Sequence, residues 1–242
     1  MRPSLVRSIN ADFETAQPGT QETIWGAWRE SLPQWLPDRA PLVVVAPHPD
    51  DETLGAGGLM SLCAHRGDRV SVICVTDGEA ARPETPDLAA IRVAELRAAT
   101  HQLVAHTASA EHLCMPDGEV AHYGRELFRH LESRIPGNVT LIAPYERDGH
   151  TDHEVIGRVC IELAAKHHLT LARYPIWAWH RLTPDVLSRE NAVQVALDER
   201  SQAAKIAAIE CYRSQTEDRA DGAIVPEHVL AYFRRNYEVY FL

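Results

Sequence analysis

The sequence predicts one α/β domain built on a mostly parallel sheet flanked by helices. Three observations carry this prediction. Leu42 to Ala46 (LVVVA) and Val70 to Val75 (VSVICV) are continuous apolar runs rich in β-branched residues, the pattern of strands buried on both faces. Such runs alternate with helical patterns of about 10–15 residues, which implies right-handed crossovers between parallel strands. No internal repeat or low-complexity linker interrupts the alternation.

Taken in order, residues 1–38 form a leader before the domain proper, 39–242. Within the leader, Thr23 to Trp35 places Trp25, Trp28 and Leu32 at helical spacing. This predicts a short amphipathic helix packed on the body and broken at Pro33. After the first strand, Leu54 to His65 reads as a helix. The second strand closes at Thr76-Asp77-Gly78, and Asp87 to Val104 is helical through Leu88, Ile91, Leu96, Ala99 and Leu103. Leu113 to Met115 reads as a short strand, Tyr123 to Ile135 as a helix, Thr140 to Pro144 as a strand and His153 to His168 as a helix. Strands near Leu169 to Ala172 and Ala192 to Leu197, a helix from Glu199 to about Tyr212 and a last strand, Tyr237 to Leu242, complete the chain.

Composition narrows the function. The 242 residues carry 24 basic and 34 acidic side chains, a formal charge of −10. Nucleic acid and anionic membrane are therefore not expected as partners, because phosphate backbones are bound through basic surfaces. No apolar run reaches the ~18 residues of a membrane span. Met1 to Asp12, with Arg2 and Arg7, lacks the apolar core of a signal peptide, so a cytoplasmic location is expected. Cys63, Cys74, Cys114, Cys160 and Cys211 form no CxxC pair and read as reduced, mostly core residues of a reducing compartment.

Ligands of parallel sheets bind beyond the carboxyl ends of the strands, so the residues after each apolar run form the candidate site. These are Pro47-His48-Pro49-Asp50-Asp51-Glu52, Thr76-Asp77-Gly78-Glu79, Pro116-Asp117-Gly118 and Tyr145 through His153. Gathering so many carboxylates is unfavourable unless a cation neutralises them. Histidine and carboxylate suit zinc, which in catalytic sites keeps three protein ligands and an open position. His48 and Asp51 can share one ion, with His150 or His153 as the third ligand. Asp50 points elsewhere and is left as a base. The remaining histidines, His106 among them, read as hydrogen-bonded structural residues. Gly55-Ala56-Gly57-Gly58 follows the acidic turn instead of preceding it, so it reads as close helix packing. No dinucleotide fingerprint, nucleophile elbow or Walker A loop is present.

The stretch Val45 to Gly58, VAPHPDDETLGAGG, resembles the signature of the LmbE-like, or PIG-L, family of zinc-dependent N-deacetylases, and Asp148 to His153 is similar to its second signature. Weaker likenesses are Thr76 to Glu79, Arg92 to Leu96, Pro116 to Gly118, and Lys205 through Ser214-Gln215. The resemblance spans roughly 41 to 242 and implies a Rossmann-like sheet. It implies removal of acetyl groups from N-acetylated amino sugars or small glycoconjugates. By position it assigns His48, Asp51 and His153 as zinc ligands, with Fe2+ the alternative ion. It assigns Asp50 as the general base, and His150 as the group that polarises the carbonyl or protonates the leaving amine. Asp152 tunes that histidine, and Arg92 and Asp117 contact the sugar.

Two features depart from the family pattern. The leader precedes the strand that usually opens the chain, so it either caps the cleft or builds a homo-oligomer. Asp148 stands where some thiol-biosynthetic members carry tyrosine. The implied mechanism uses zinc-acidified water, proton transfer to Asp50 and a protonated His150 at the oxyanion. Two other readings compete: the same metal and base acting on a non-sugar amide, and a catalytically silent module that binds a sugar or nucleotide. Presence of both the ligands and the base disfavours the silent module. Specificity is expected in Ala80 to Pro86 and Trp177 to Arg181, where Trp177 and Trp179 either stack on a sugar or fill core.

Overall fold

A computed structural model describes residues 19–104, 108–187, 190–218 and 222–242. His106 and the segment 1–12, weighed above as a signal peptide, lie outside the described residues. Seven strands, β1 (Leu42–Ala46), β2 (Val70–Thr76), β3 (Ala108–Met115), β4 (Thr140–Pro144), β5 (Thr170–Tyr174), β6 (Ala192–Ala196) and β7 (Tyr237–Phe241), form one sheet in the order β3-β2-β1-β4-β5-β7-β6. All pairings are parallel except those of β7, which runs antiparallel to both β5 and β6. The chain builds outward from β1 through β2 to β3, then returns to place β4 on the other side of β1. That reversal opens a crevice at the carboxyl ends of β1 and β4, the usual ligand position in such sheets.

Both sheet faces are covered, which is why the central strands are apolar without alternation. Val44, Ala46 and Val72 pack with Leu59 and Met60 of α2 (Asp51–His65) and Leu96 and Leu103 of α3 (Leu88–Val104). Val43, Val45 and Ile73 pack with Leu127 and Leu131 of α4 (Gly124–Glu132) and Ile156 and Leu163 of α5 (Thr151–His167). Next come α6 (Ala178–Arg181), α7 (Pro184–Leu187), α8 (Glu199–Ile209), α9 (Arg213–Thr216) and α10 (Glu227–Leu230).

Several boundaries differ from the sequence expectations. β3 begins at Ala108, well before Leu113: as an edge strand it pairs only with β2, so its polar Ser109 and Glu111 need no buried partner. α2 begins at Asp51 instead of Leu54, so the acidic turn is itself the helix start. α4 ends at Glu132 and α8 at Ile209, each shorter than its periodicity implied.

The glycine-rich turn of α2 is explained by contact. A Cβ on Gly55 would stand 2.1 Å from the Tyr174 ring, and one on Gly58 2.4 Å from Leu197. Lys205 and Glu238 also meet this helix, Nζ donating to Leu54 O at 2.7 Å while the Glu238 carboxylate accepts from Gly58 N–H and Leu59 N–H at 2.7 and 2.8 Å. The described part of the leader carries α1 (Glu22–Glu30). Trp25 is fully buried there, edge-on to Trp179 at 4.9 Å and donating to Trp179 O at 3.1 Å. No described helix is long and apolar enough to cross a membrane.

Candidate metal centre and catalytic cleft

The turn leaving β1 and the N-terminus of α5 bring the acidic and histidine residues together. His48, Asp50, Asp51, Glu52, Asp148, His150, Asp152 and His153 are all buried. His48 Nδ1 lies 3.1 Å from Asp51 Oδ2, His153 Nε2 lies 3.2 Å from the same oxygen, and the two nitrogens are 3.4 Å apart. Tetrahedral zinc with bonds of about 2.0–2.2 Å requires ligand–ligand edges of about 3.3–3.5 Å. The triangle is therefore already near the size that the ion needs.

Each imidazole of that triangle has a carboxylate on its other nitrogen. Asp117 Oδ1 stands 3.1 Å from His48 Nε2, and Asp148 Oδ2 stands 2.8 Å from His153 Nδ1. This is the outer-shell arrangement that fixes tautomer and ring orientation in metal sites. Asp148 is itself held by the N–H groups of Ile176, Trp177 and Ala178 at 2.8–3.0 Å. A second group, His48 with His150 and Asp152, is also close enough to share an ion. There the Asp152 carboxylate is committed to Gly118 N–H at 2.8 Å and Val120 N–H at 3.3 Å, and His48 would have to give up Asp117. The first group fits better.

The electrostatics agree with a site made for positive charge. Burial disfavours a charged His153 ring, but Asp51 and Asp148 outweigh it and hold its pKa up at about 9. Burial likewise opposes ionisation of Asp51, and the facing His153 and His48 rings reverse this, leaving it far below the usual carboxylate range. Asp117 is lowered in the same way by His48. A divalent ion competes with protons for the same nitrogen lone pairs.

Asp50 stands apart from the triangle. Its φ of 135° is unusual for a residue with a side chain, a strain that persists only where neighbours impose it. Glu52 Oε2 accepts the Asp50 N–H at 3.3 Å, and Arg92 reaches Asp50 Oδ2 at 3.4 Å and Pro49 O at 2.8 Å. Burial pushes the Asp50 carboxyl up to about 8, Arg92 opposes the shift, and Asp51 adds to it. Burial, with His153 and His48 nearby, lowers His150 to about 2. Its Nδ1 accepts the Asp152 N–H at 3.3 Å, so the neutral ring carries its proton on Nε2.

Of the other sequence candidates, Arg92 is buried and bonded to Gly78 O at 3.0 Å as well as to the Pro49 turn. Asp152 meets His150 through its backbone N–H, while its carboxylate lies 3.4 Å from His48 Nε2. Sequence reasoning missed three participants. Asp148 falls in the second signature but carries no assigned role there, Glu52 is not singled out, and Tyr212, whose hydroxyl donates to Glu52 Oε1, reads only as a helix end. The charged run DDE carried a signal for Glu52, since a third buried acid needs a partner.

A cavity of about 400 Å³ opens onto the cluster. His48, Asp50, Asp51, Arg92, Asp117 and His150 line its polar part, and Ile176, Trp177, Ile224, Val225, Val229 and Phe233 its apolar part. Trp177 thus faces the cavity, whereas Trp179 packs in the core. No described residue of the leader lines the cavity.

The chain resembles solved structures along most of its length. The conserved protein TT1542 from Thermus thermophilus is 26% identical, with a TM-score of 0.52, covering 70% of this chain and 78% of that one. The N,N'-diacetylchitobiose deacetylase from Pyrococcus horikoshii is 23% identical, with a TM-score of 0.59, covering 75% and 72%. The A40926 pseudoaglycone deacetylase Dbv21 is 18% identical, with a TM-score of 0.62, covering 84% and 97%. No curated protein matches the chain. The family described as PIG-L, GlcNAc-PI de-N-acetylase, matches residues 43–164, half of the sequence, and takes in both the β1 turn and the start of α5. The chain belongs to the PIG-L family.

Proposed function

We propose that the protein is a metal-dependent hydrolase that removes an N-acetyl or other N-acyl group from an amino sugar or small glycoconjugate. The observation that carries this reading is the near-equilateral triangle of His48 Nδ1, Asp51 Oδ2 and His153 Nε2, with Asp50 unshared beside it. Family membership supports it, as does the sugar deacetylase among the structural neighbours. Zinc is the ion that the donor set suits best, with Fe2+ the alternative.

His48, Asp51 and His153 would hold the divalent ion, which would supply Lewis acidity and a more acidic water, with a pKa toward about 7. Asp50 takes the proton of the attacking water and later delivers it to the departing nitrogen. His150 donates Nε2–H to the amide carbonyl oxygen as charge builds on it, a contribution of ~3–4 kcal/mol for one such donor. Arg92 holds the Asp50 carboxylate and its turn in place. Asp117 and Asp148 orient the two ligating rings.

The test compares wild type with Asp50→Asn for zinc content and for amine release from N-acetylhexosamines. Zinc should stay at one equivalent while turnover falls by about 10²–10⁴-fold. Near wild-type turnover in the variant removes Asp50 as the base.

A further inference from the structure

Outside the catalytic cluster, the cavity wall holds three polar side chains that the proposed chemistry does not use, Arg82, Glu84 and Gln215. Gln215, in α9, lines the cavity and is only 1% exposed. Its Oε1 accepts no hydrogen bond among the described residues.

The orientation of this amide is set from α3. Glu95 accepts from Ser214 N–H at 2.8 Å through Oε1 and from the Ser214 hydroxyl at 2.6 Å through Oε2. A hydroxyl has a single proton to donate, and here Glu95 receives it. Toward Gln215 the Ser214 oxygen can therefore only accept, and Gln215 Nε2 is the donor at 2.7 Å. Turning the amide over would set two acceptors against each other at that distance. The relay from Glu95 through Ser214 thus leaves the amide oxygen as the end without a protein donor. A buried acceptor left so carries the full desolvation penalty of the group, and the same cavity is lined by the apolar Ile224, Val225, Val229 and Phe233 as well as by Arg82 and Glu84.

We propose that Gln215 Oε1 is a substrate-recognition site, accepting a hydrogen bond from a hydroxyl or N–H of the molecule whose amide is cleaved, with Ser214 and Glu95 as positioning residues. The apolar wall takes the carbon face of the same group, so a polyhydroxylated ring fits the combination. This rests on the reading of the cleft as an amide-hydrolysing site, and it assigns a residue that decides which amide enters.

The test uses the zinc-loaded full chain and two acetamides on six-membered rings, N-acetylglucosamine and N-acetylcyclohexylamine, which differ in their hydroxyls. Amine release and calorimetric binding are measured for wild type, Gln215→Met and Ser214→Ala, with melting curves to confirm folding. Wild type should favour the sugar. Gln215→Met should reduce kcat/KM and affinity for the sugar by about tenfold or more while leaving the cyclohexyl compound within about twofold. Ser214→Ala frees the amide to turn and should fall between the two. Equal losses on both compounds, an unchanged ratio, or a wild type with no preference for the sugar in binding would each overturn the proposal. Absence of amine release from wild type defeats the deacetylase reading instead, and the binding ratio still decides the role of Gln215.

Discussion

Replacing Asp148 with asparagine isolates the outer shell of the candidate metal site. In the native arrangement Oδ1 accepts from Ile176 and Ala178, while Oδ2 accepts from Trp177 N–H and faces His153 Nδ1 at 2.8 Å. Asparagine can keep the first pair, but its NH2 group then meets Trp177 N–H and the His153 proton, donor against donor. His153 responds by moving its proton to Nε2, the nitrogen that faces Asp51 and His48, which withdraws it as a ligand. Outer-shell losses of this kind lower metal affinity about 10–100-fold, or about 1.4–2.8 kcal/mol at 1.4 per tenfold. The unpaired Trp177 N–H adds a folding penalty of about 1–3 kcal/mol. Zinc affinity is read by competition with a chromogenic chelator at fixed pH, and stability by urea unfolding in a chelator. An affinity within twofold of wild type would refute the reasoning that Asp148 holds His153 for the ion.

Other predictions concern how the fold supports the site. Gly55→Ala drives a Cβ to 2.1 Å from the Tyr174 ring and should cost about 1–3 kcal/mol in urea unfolding; an unchanged midpoint would show that α2 can slide freely. Lys205 and Glu238 are paired at 2.6 Å, both about 2% exposed, so Lys205→Met alone should destabilise by about 3–5 kcal/mol. The double variant Lys205→Met/Glu238→Gln should recover part of that loss, and strictly additive losses would argue against a coupled pair. Trp25→Ala should cost about 3–5 kcal/mol with kcat/KM unchanged, since α1 packs on Trp179 and no described leader residue lines the cavity; a large kcat/KM effect would return the leader to the cleft.

Sequence reading reached the sheet because buried parallel strands advertise themselves through unbroken runs such as LVVVA. It under-read β3, whose outer edge has no neighbour to demand apolar side chains. It placed His48, Asp51 and the fourth-loop histidines at strand ends from topology alone, and the resemblance chose His153 over His150 as the third ligand. What stayed illegible was pairing between distant segments. Nothing in the spacing of Asp148 says that three amides of the α6 turn hold it, and nothing near Ser214 announces Glu95. Trp177 and Trp179 looked interchangeable because adjacent aromatic positions reveal neither which ring faces a cavity nor which meets Trp25. The lowered pKa of His150 also comes from burial and two neighbouring rings that only the folded chain assembles.

The proposed chemistry requires one divalent ion shared by the turn after β1 and the start of α5. Anomalous diffraction at the zinc edge, on crystals grown with zinc, tests it most directly. One strong peak is expected about 2.0–2.2 Å from His48 Nδ1, Asp51 Oδ2 and His153 Nε2, with Asp50 outside bonding distance. A peak bound instead by His150 and Asp152, or no peak at this cluster at saturating zinc, would contradict it.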